Sequence, residues 1–236
     1  MSFYVPERAV AIAAHCDDLD VGSSGTVARW TAEGAAVTYV IATDSGAGSN
    51  TPGEDLEALK TTRREEQTRS AEEVGVRDIR FLDHADGVLQ PTLELRKQLT
   101  RIIREVRPNV VLTFDPEMAI SATRTYINHP DHRAVGEAAM YATFPSAGSR
   151  PIFADLLDEG FEPHDPAYLY LQFSNVPTYR VDISTTMELK KRALRHHTSQ
   201  FDEDFVQQVQ EWALRDAAGF SAEFAEAFRV VNLRSD

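Results

Sequence analysis

The chain has 236 residues, 42% hydrophobic and 26% charged, the balance of an ordinary globular protein with room for one well-buried core. A formal net charge of -13 argues against a general nucleic-acid binder and against an anionic membrane surface as partner, since both call for basic groups. One cysteine excludes an internal disulfide and a multi-cysteine zinc knuckle, and no apolar run approaches a membrane span.

In chain order, Met1 to Arg8 lacks the basic-then-apolar pattern of a signal peptide, so a cytoplasmic protein is expected. Ala9 to Ala14 is a short, β-compatible apolar run that leads into His15-Cys16-Asp17-Asp18-Leu19-Asp20. These polar residues would sit at the carboxyl end of a first strand, where open α/β sheets place their ligands. Imidazole and carboxylate suit a borderline-soft divalent metal such as zinc, and a carboxylate left free of the metal can activate its water. Taken alone, His-x-x-Asp is better read as an acidic turn capping the next helix, because two ligands do not make a metal site.

Gly22 to Gly25 opens a helix over Ser24 to Glu33, stopped by Gly34. Val37 to Thr43 is a β-branched strand that ends in the polar loop Asp44 to Asn50. A helix is predicted over Glu54 to Val74, a short strand over Ile79 to Leu82, a helix over Thr92 to Val106 and a buried strand over Val110 to Phe114. After the loop Asp115 to Asn128 comes His129-Pro130-Asp131-His132, followed by a helical run Arg133 to Ala142. Phe144 to Ala167 reads as loop or lid, Tyr168 to Phe173 and Thr178 to Asp182 as strands. Three helical stretches complete the reading: Ser184 to His196 capped by the Ser184 hydroxyl, Phe205 to Ala218, and Ala222 to Phe228. Alternating strands and helices imply βαβ units, hence α/β: a single domain over 1–236, a Rossmann-like three-layer sandwich with a mostly parallel sheet.

The second cluster changes the weight of the first, because both would lie on the same rim of the sheet. His15, Asp18 and His132 offer two imidazoles and a carboxylate, the three protein ligands usual for a catalytic zinc. Asp17 is left as base, His129 as acid or oxyanion stabiliser, and Asp131 as orienting partner for an imidazole, His129 being the one it would hold. An acidic residue at a helix N-terminus would explain Asp131 without function, but neither histidine.

These motifs resemble the LmbE-like, PIG-L-type de-N-acetylase family, which removes acetyl groups from N-acetylglucosamine-type amides using zinc. Its Ala-His-Pro-Asp-Asp motif and glycine-rich helix start are matched by Ala14 to Thr26, and its His-Pro-Asp-His-Arg-Ala-Val-Gly motif by His129 to Gly136. Arg63-Arg64-Glu65-Glu66-Gln67, Asp86-Gly87, Arg107 to Val111 and His197-Thr198-Ser199-Gln200 are similar in place and type, so the likeness spans Val10 to Gln200. Cys16 stands where the family commonly has proline, and Leu19-Asp20 replaces an often-seen Glu. Cys16 is read as a buried filler, with a thiolate ligand as the minority reading.

The resemblance implies a zinc amidohydrolase, one ion per subunit, acting on a small amino sugar or its conjugate, and a trimeric or hexameric assembly. It adds Arg63, Asp86 and His197 as candidate substrate contacts. Arg63 reads equally as a solvated helix pair with Glu66, and Asp86 as a turn residue before Gly87. His84, His164 and His196 read as surface histidines, and Tyr126 as either an oxyanion donor or a packing residue. Two other functions stay open: a nucleotide-binding domain built on Gly22-Ser23-Ser24-Gly25, and a catalytically silent carbohydrate-binding relative.

Overall fold

The computed structural model describes residues 3–234. Its elements are β1 (Arg8–Ala13), α1 (Asp18–Gly22), α2 (Ser24–Ala32), β2 (Ala36–Thr43), α3 (Leu56–Glu73), β3 (Asp78–His84), α4 (Leu93–Val106) and β4 (Val110–Phe114). They continue with α5 (Pro130–Tyr141), α6 (Asp155–Asp158), β5 (Tyr168–Gln172), β6 (Tyr179–Asp182), α7 (Met187–Arg195), α8 (Glu203–Asp216) and β7 (Ala225–Asn232). The strands form one seven-stranded sheet in the order β3-β2-β1-β4-β5-β7-β6. The first five in that order are parallel, and β7 runs antiparallel to both of its neighbours.

Central strands covered on both faces must be apolar on both, and β4 (Val-Val-Leu-Thr-Phe) is buried at every position. Helices α4 and α5 pack on each other and on β1; α2, α3 and α7 pack together, with α8 on α7 and β7. The bounds of α3 and α4 follow from side-chain caps: Asp55 accepts from the amides of Glu57 and Ala58, and Thr92 from that of Leu95. No helix among the described residues is long and apolar enough to cross a membrane.

The order reverses at β1, whose neighbours are β2 on one side and β4 on the other. The loops leaving β1 and β4 therefore diverge and open a crevice at the carboxyl ends, where doubly wound folds bind ligands. Gly136 lets α5 press onto this end of the sheet, since a Cβ there would lie 2.6 Å from the Phe114 carbonyl oxygen.

Two expected elements differ. The helix expected over Ala222 to Phe228 is instead the start of β7, paired with β6 at Ala225 and Phe228. Ala and Glu favour a helix locally, but Glu226 is buried and ion-paired to Lys190, so tertiary contacts override propensity. The helix expected from Ser184 begins at Met187, because the Ser184 hydroxyl donates to Asp182 and accepts from the amides of Glu223 and Phe224.

Candidate active site

Beyond β1 the chain turns sharply. The His15 amide donates to Asp18 Oδ2 (2.7 Å), the Cys16 amide to Ser45 Oγ (2.9 Å) and the Asp17 amide to Gln67 Oε1 (2.8 Å). Asp17 sits at φ 108°, a conformation that costs a non-glycine residue about 1–3 kcal/mol and persists only when surroundings hold it. The turn sends the Asp18 side chain toward α5 and the Asp17 side chain toward α3.

At the other side of the crevice, Pro130 opens α5 with its fixed φ and no amide to satisfy. His129 is the N-cap, its Nδ1 accepting from the Asp131 amide at 3.2 Å. His132, one turn on, stacks on Phe114 at 4.1 Å between ring centroids, and its Nδ1 lies 3.0 Å from Asn128 Oδ1.

Together these segments make a compact donor cluster. Asp18 Oδ1 is 3.0 Å from His132 Nε2, and Asp18 Oδ2 is 3.4 Å from His15 Nδ1. Nitrogens of His15, His129 and His132 fall within 4.8 Å of one another. Two of the imidazoles are steered from behind: Asn128 on the far nitrogen of His132, and Asp86 (2.9 Å) and Asp131 (3.5 Å) beside His15 Nε2. That leaves His15 Nδ1 and His132 Nε2 facing Asp18, the second-layer arrangement that orients histidine ligands of zinc. His15, Asp86 and Asp131 form a second candidate donor group. Its Asp131 is fully buried and already accepts from the amides of Gly87 and Leu89, so it serves better as support than as ligand. The His15, Asp18 and His132 donors fit a zinc ion in type and placement.

The neighbouring carboxylates titrate in opposite directions. Burial, helped by Asp18 and opposed by Arg63, pushes Asp17 up to about 6. Burial also works to raise Asp18, but His132 and His15 more than offset it and hold it well below the usual carboxylate range. Burial, then the charges of His15 and His132, lowers His129 below an ordinary histidine, so its neutral ring accepts at Nδ1 and keeps Nε2–H as a donor.

The structure distributes the expected residues over two layers. His15, Asp17, Asp18, His129 and His132 gather at the crevice, whereas the Asp131 carboxylate faces His15 and only its backbone amide meets His129. Arg63 is buried, not on a solvated face: its guanidinium donates to Asp17 Oδ2 (2.9 Å) and to the carbonyls of Cys16 and Ser45. Asp86 reaches His15 and accepts from the Ala47 amide. His197 is fully enclosed behind Asp17, its Nε2 2.8 Å from Asp20 Oδ2, the atom that also accepts from Gln67 Nε2. Tyr126 lines the crevice mouth, half exposed. Cys16 is buried with its thiol pushed up to about 12 by burial, a filler rather than a thiolate. His84, His164 and His196 are partly buried and lie away from the cluster, against Gln98, the Pro108 carbonyl and Glu73.

Sequence reasoning missed Asn128, Gln67, Asp20 and Glu66. Gln67 stands four residues after Arg63, on the same helix face, and that spacing was the available signal. Glu66, also buried there, accepts from the hydroxyls of Thr198 and Ser199 and the Ser199 amide, which ties α3 to the turn carrying His197.

Comparison with known proteins places this geometry among relatives. The family described as PIG-L, GlcNAc-PI de-N-acetylase, matches residues 10–143. The diacetylchitobiose deacetylase of Thermococcus kodakarensis is 36% identical over 234 residues, covering 95% of this chain and 83% of that protein. A probable N-acetyl-alpha-D-glucosaminyl L-malate deacetylase of Bacillus anthracis is 29% identical over 86% of this chain and 89% of its own. The solved structure of the N,N'-diacetylchitobiose deacetylase from Pyrococcus horikoshii, an inhibitor complex, superposes with a TM-score of 0.89 at 30% identity, covering 96% of this chain and 84% of that one.

Proposed function

The chain belongs to the PIG-L family of GlcNAc-PI de-N-acetylases, and from that premise we propose that it is a zinc-dependent amidohydrolase that removes the acetyl group from an N-acetylglucosamine-type amino sugar or its conjugate. The observation that carries the reading is the placement of two adjacent carboxylates: Asp18 lies 3.0 Å from His132 Nε2 and 3.4 Å from His15 Nδ1, whereas Asp17 beside it turns away from the imidazoles to Arg63 at 2.9 Å and stays free to act as a base.

His15, Asp18 and His132 would hold the zinc ion, which supplies a Lewis acid for the amide carbonyl and a lowered pKa for the attacking water. Asp17, left outside that ligand set, would be the group that accepts a proton from the attacking water. Arg63 and Gln67 fix its carboxylate and its backbone, so the base is oriented before substrate arrives. The neutral His129 presents Nε2–H to the oxygen on which charge develops, or to the departing amine. Asp86 and Asp131 act through His15, and His197 acts through Asp20 and Gln67; none of the three needs to touch substrate.

The nucleotide-binding alternative loses its anchor, because the amides of Gly25 and Thr26 at the start of α2 already donate to Glu226 (3.0 and 2.7 Å). The silent-relative alternative is disfavoured by a buried carboxylate and a donor imidazole, Asp17 and His129, beside the proposed ligands, and a turnover assay decides it. The assembly as trimer or hexamer remains part of the proposal, checked by sedimentation at micromolar concentration. The function is tested with a panel of N-acetylated sugars scored by amine release from zinc-loaded protein. Asp17→Asn is expected to keep its zinc and lose about 10²–10⁴-fold in kcat. Near-native turnover with intact zinc would assign the proton to another group.

A further inference from the structure

Three buried carboxamides stand around the crevice, and two of them are fully used. Gln67 Oε1 accepts from the Asp17 amide and its Nε2 donates to Asp20. Asn128 Oδ1 lies on His132 and its Nδ2 donates to the Met118 carbonyl. Gln172, the last residue of β5, is 1% exposed, and neither end of its side-chain amide has a hydrogen bond among the described residues. Its backbone carbonyl accepts from the Asp115 amide at 3.0 Å, so only the side chain is idle. A buried amide without partners destabilises a fold, and an apolar side chain of similar length would avoid the cost. In folded proteins such local violations concentrate at functional sites.

The idle amide ends directly behind the crevice wall. Gly22, at the end of α1, comes so close that a Cβ there would lie 2.2 Å from Gln172 Oε1 and 3.0 Å from the Phe173 ring. The missing side chain at this position is what makes room for the amide. Gly22 and Phe173 both line a cleft of about 690 Å³ that also takes in Asp17, Asp18 and His132. Gly22 stands four residues after Asp18, one helical turn or about 5.4 Å along the same side of α1. Phe173, which covers the amide from the cleft, is only partly buried and sits at φ 53°, a left-handed conformation that is costly for an aromatic residue. Its ring stacks on Phe114 at 5.7 Å, and Phe114 stacks in turn on His132.

The neighbouring charges say what the amide would meet. Lys190 donates to the carbonyl of Val21, next to Gly22, at 2.7 Å and is paired with Glu226 at 2.6 Å, so it holds no charge in reserve for an anionic ligand. A primary amide offers donors and an acceptor without charge, and suits a hydroxyl, which can both accept and donate. We propose that Gln172 is a specificity residue for the amino sugar: Phe173 swings aside, and the amide exchanges hydrogen bonds with a hydroxyl of the same ring that carries the acetamide. With the acetyl carbonyl at the donor cluster, that ring's hydroxyls extend along α1 toward Gly22. Gln172 meets the sugar and not the reacting bond, so its effect falls on binding. The inference rests on the deacetylase reading, which it deepens.

The test compares N-acetylglucosamine with its 1-, 3-, 4- and 6-deoxy analogues in zinc-loaded wild type, in Gln172→Met and in Gly22→Ala, whose methyl displaces the amide. In the wild type one analogue should lose about 10–100-fold in kcat/KM, the consequence of leaving the buried amide unpaired. In either variant the parent sugar should fall toward that analogue through KM, so that discrimination drops below about threefold. Urea unfolding should find Gln172→Met at least as stable as wild type. Dissociation constants of the product amines, glucosamine and the same deoxy forms, follow from NMR titration and need no turnover. If no sugar releases amine, the deacetylase reading falls and product binding decides the role of Gln172: selectivity for one hydroxyl, lost in both variants, keeps it. Discrimination unchanged in both variants, in kcat/KM or in product binding, would overturn the inference. So would acceptance of every deoxy analogue by the wild type. A Gln172→Met protein that is less stable while its discrimination is intact would assign the amide to the fold, and would overturn it too.

Discussion

At the start of α2, the free amides of Gly25 and Thr26 are closed by the Glu226 carboxylate, itself paired to buried Lys190 at 2.6 Å. At the start of α5 stand His129, whose ring meets that of His15 edge-on at 4.7 Å, and His132, whose Nε2 lies 3.0 Å from Asp18 across the crevice. Both helices follow adjacent strands and offer the same positive end of a backbone dipole. One end is sealed from within the chain, and the other is left to side chains that can bind, donate and hold a metal. A glycine-rich turn before a helix therefore says little about ligands until its amides are accounted for.

The largest expected effect breaks the sealed end. Glu226→Ala strands the Lys190 charge in the interior and should cost about 3–5 kcal/mol in denaturant unfolding, with zinc content retained. A cost within experimental error would show that the seal is idle. Next comes the open end, where His129→Ala should lower kcat about 10²–10³-fold, the usual loss of a donor to a developing oxyanion, while the lost cap on the Asp131 amide costs only about 0.5–2 kcal/mol in unfolding, less than at the sealed end. If stability fell and kcat did not, the two helix starts would be alike after all.

Smaller effects sharpen the contrast. Asn128→Ala frees the outer nitrogen of His132 and should weaken zinc binding about 10–100-fold, measured by competition with a chelator. The mildest test is pH. As the proposed base, Asp17 would act only when ionised, so kcat/KM should fall about tenfold per unit as pH drops below about 6. The same carboxyl is raised in the fold above its value of 3.8 in the open chain. Folded protein therefore holds that proton more tightly, so ionisation of Asp17 opposes folding above about 6 and the opposition is relieved as pH falls toward 4. Asp17→Asn should erase this contribution to the stability profile between those limits.

Strands β1, β2 and β4 were legible because buried parallel strands read as continuous apolar runs, and the rim was legible because polar clusters interrupt them. What escaped depended on distant partners. β7 carries helix-favouring Ala and Glu, and only its pairing with β5 and β6 makes it a strand. Arg63 looked like a surface charge because its partners, Asp17 and two carbonyls, lie 18 to 47 residues away. The upward shift of Asp17 was equally hidden, since burial outweighs the guanidinium partner and neither is visible in the local sequence.

Glu226 has a consequence for how the chain is made. The cap of α2 is separated from that helix by 200 residues at Thr26. While the ribosome is still building the chain, α2 has the Gly25 and Thr26 amides open, and Lys190 has no counter-ion when it emerges. Neither can be satisfied until the last strand has been synthesised and added to the sheet. Long-range closure of this kind slows folding and lengthens the life of partly folded forms. A chain cut before β7 would carry every side chain of the proposed site and still lack the carboxylate that caps α2 and pairs with Lys190.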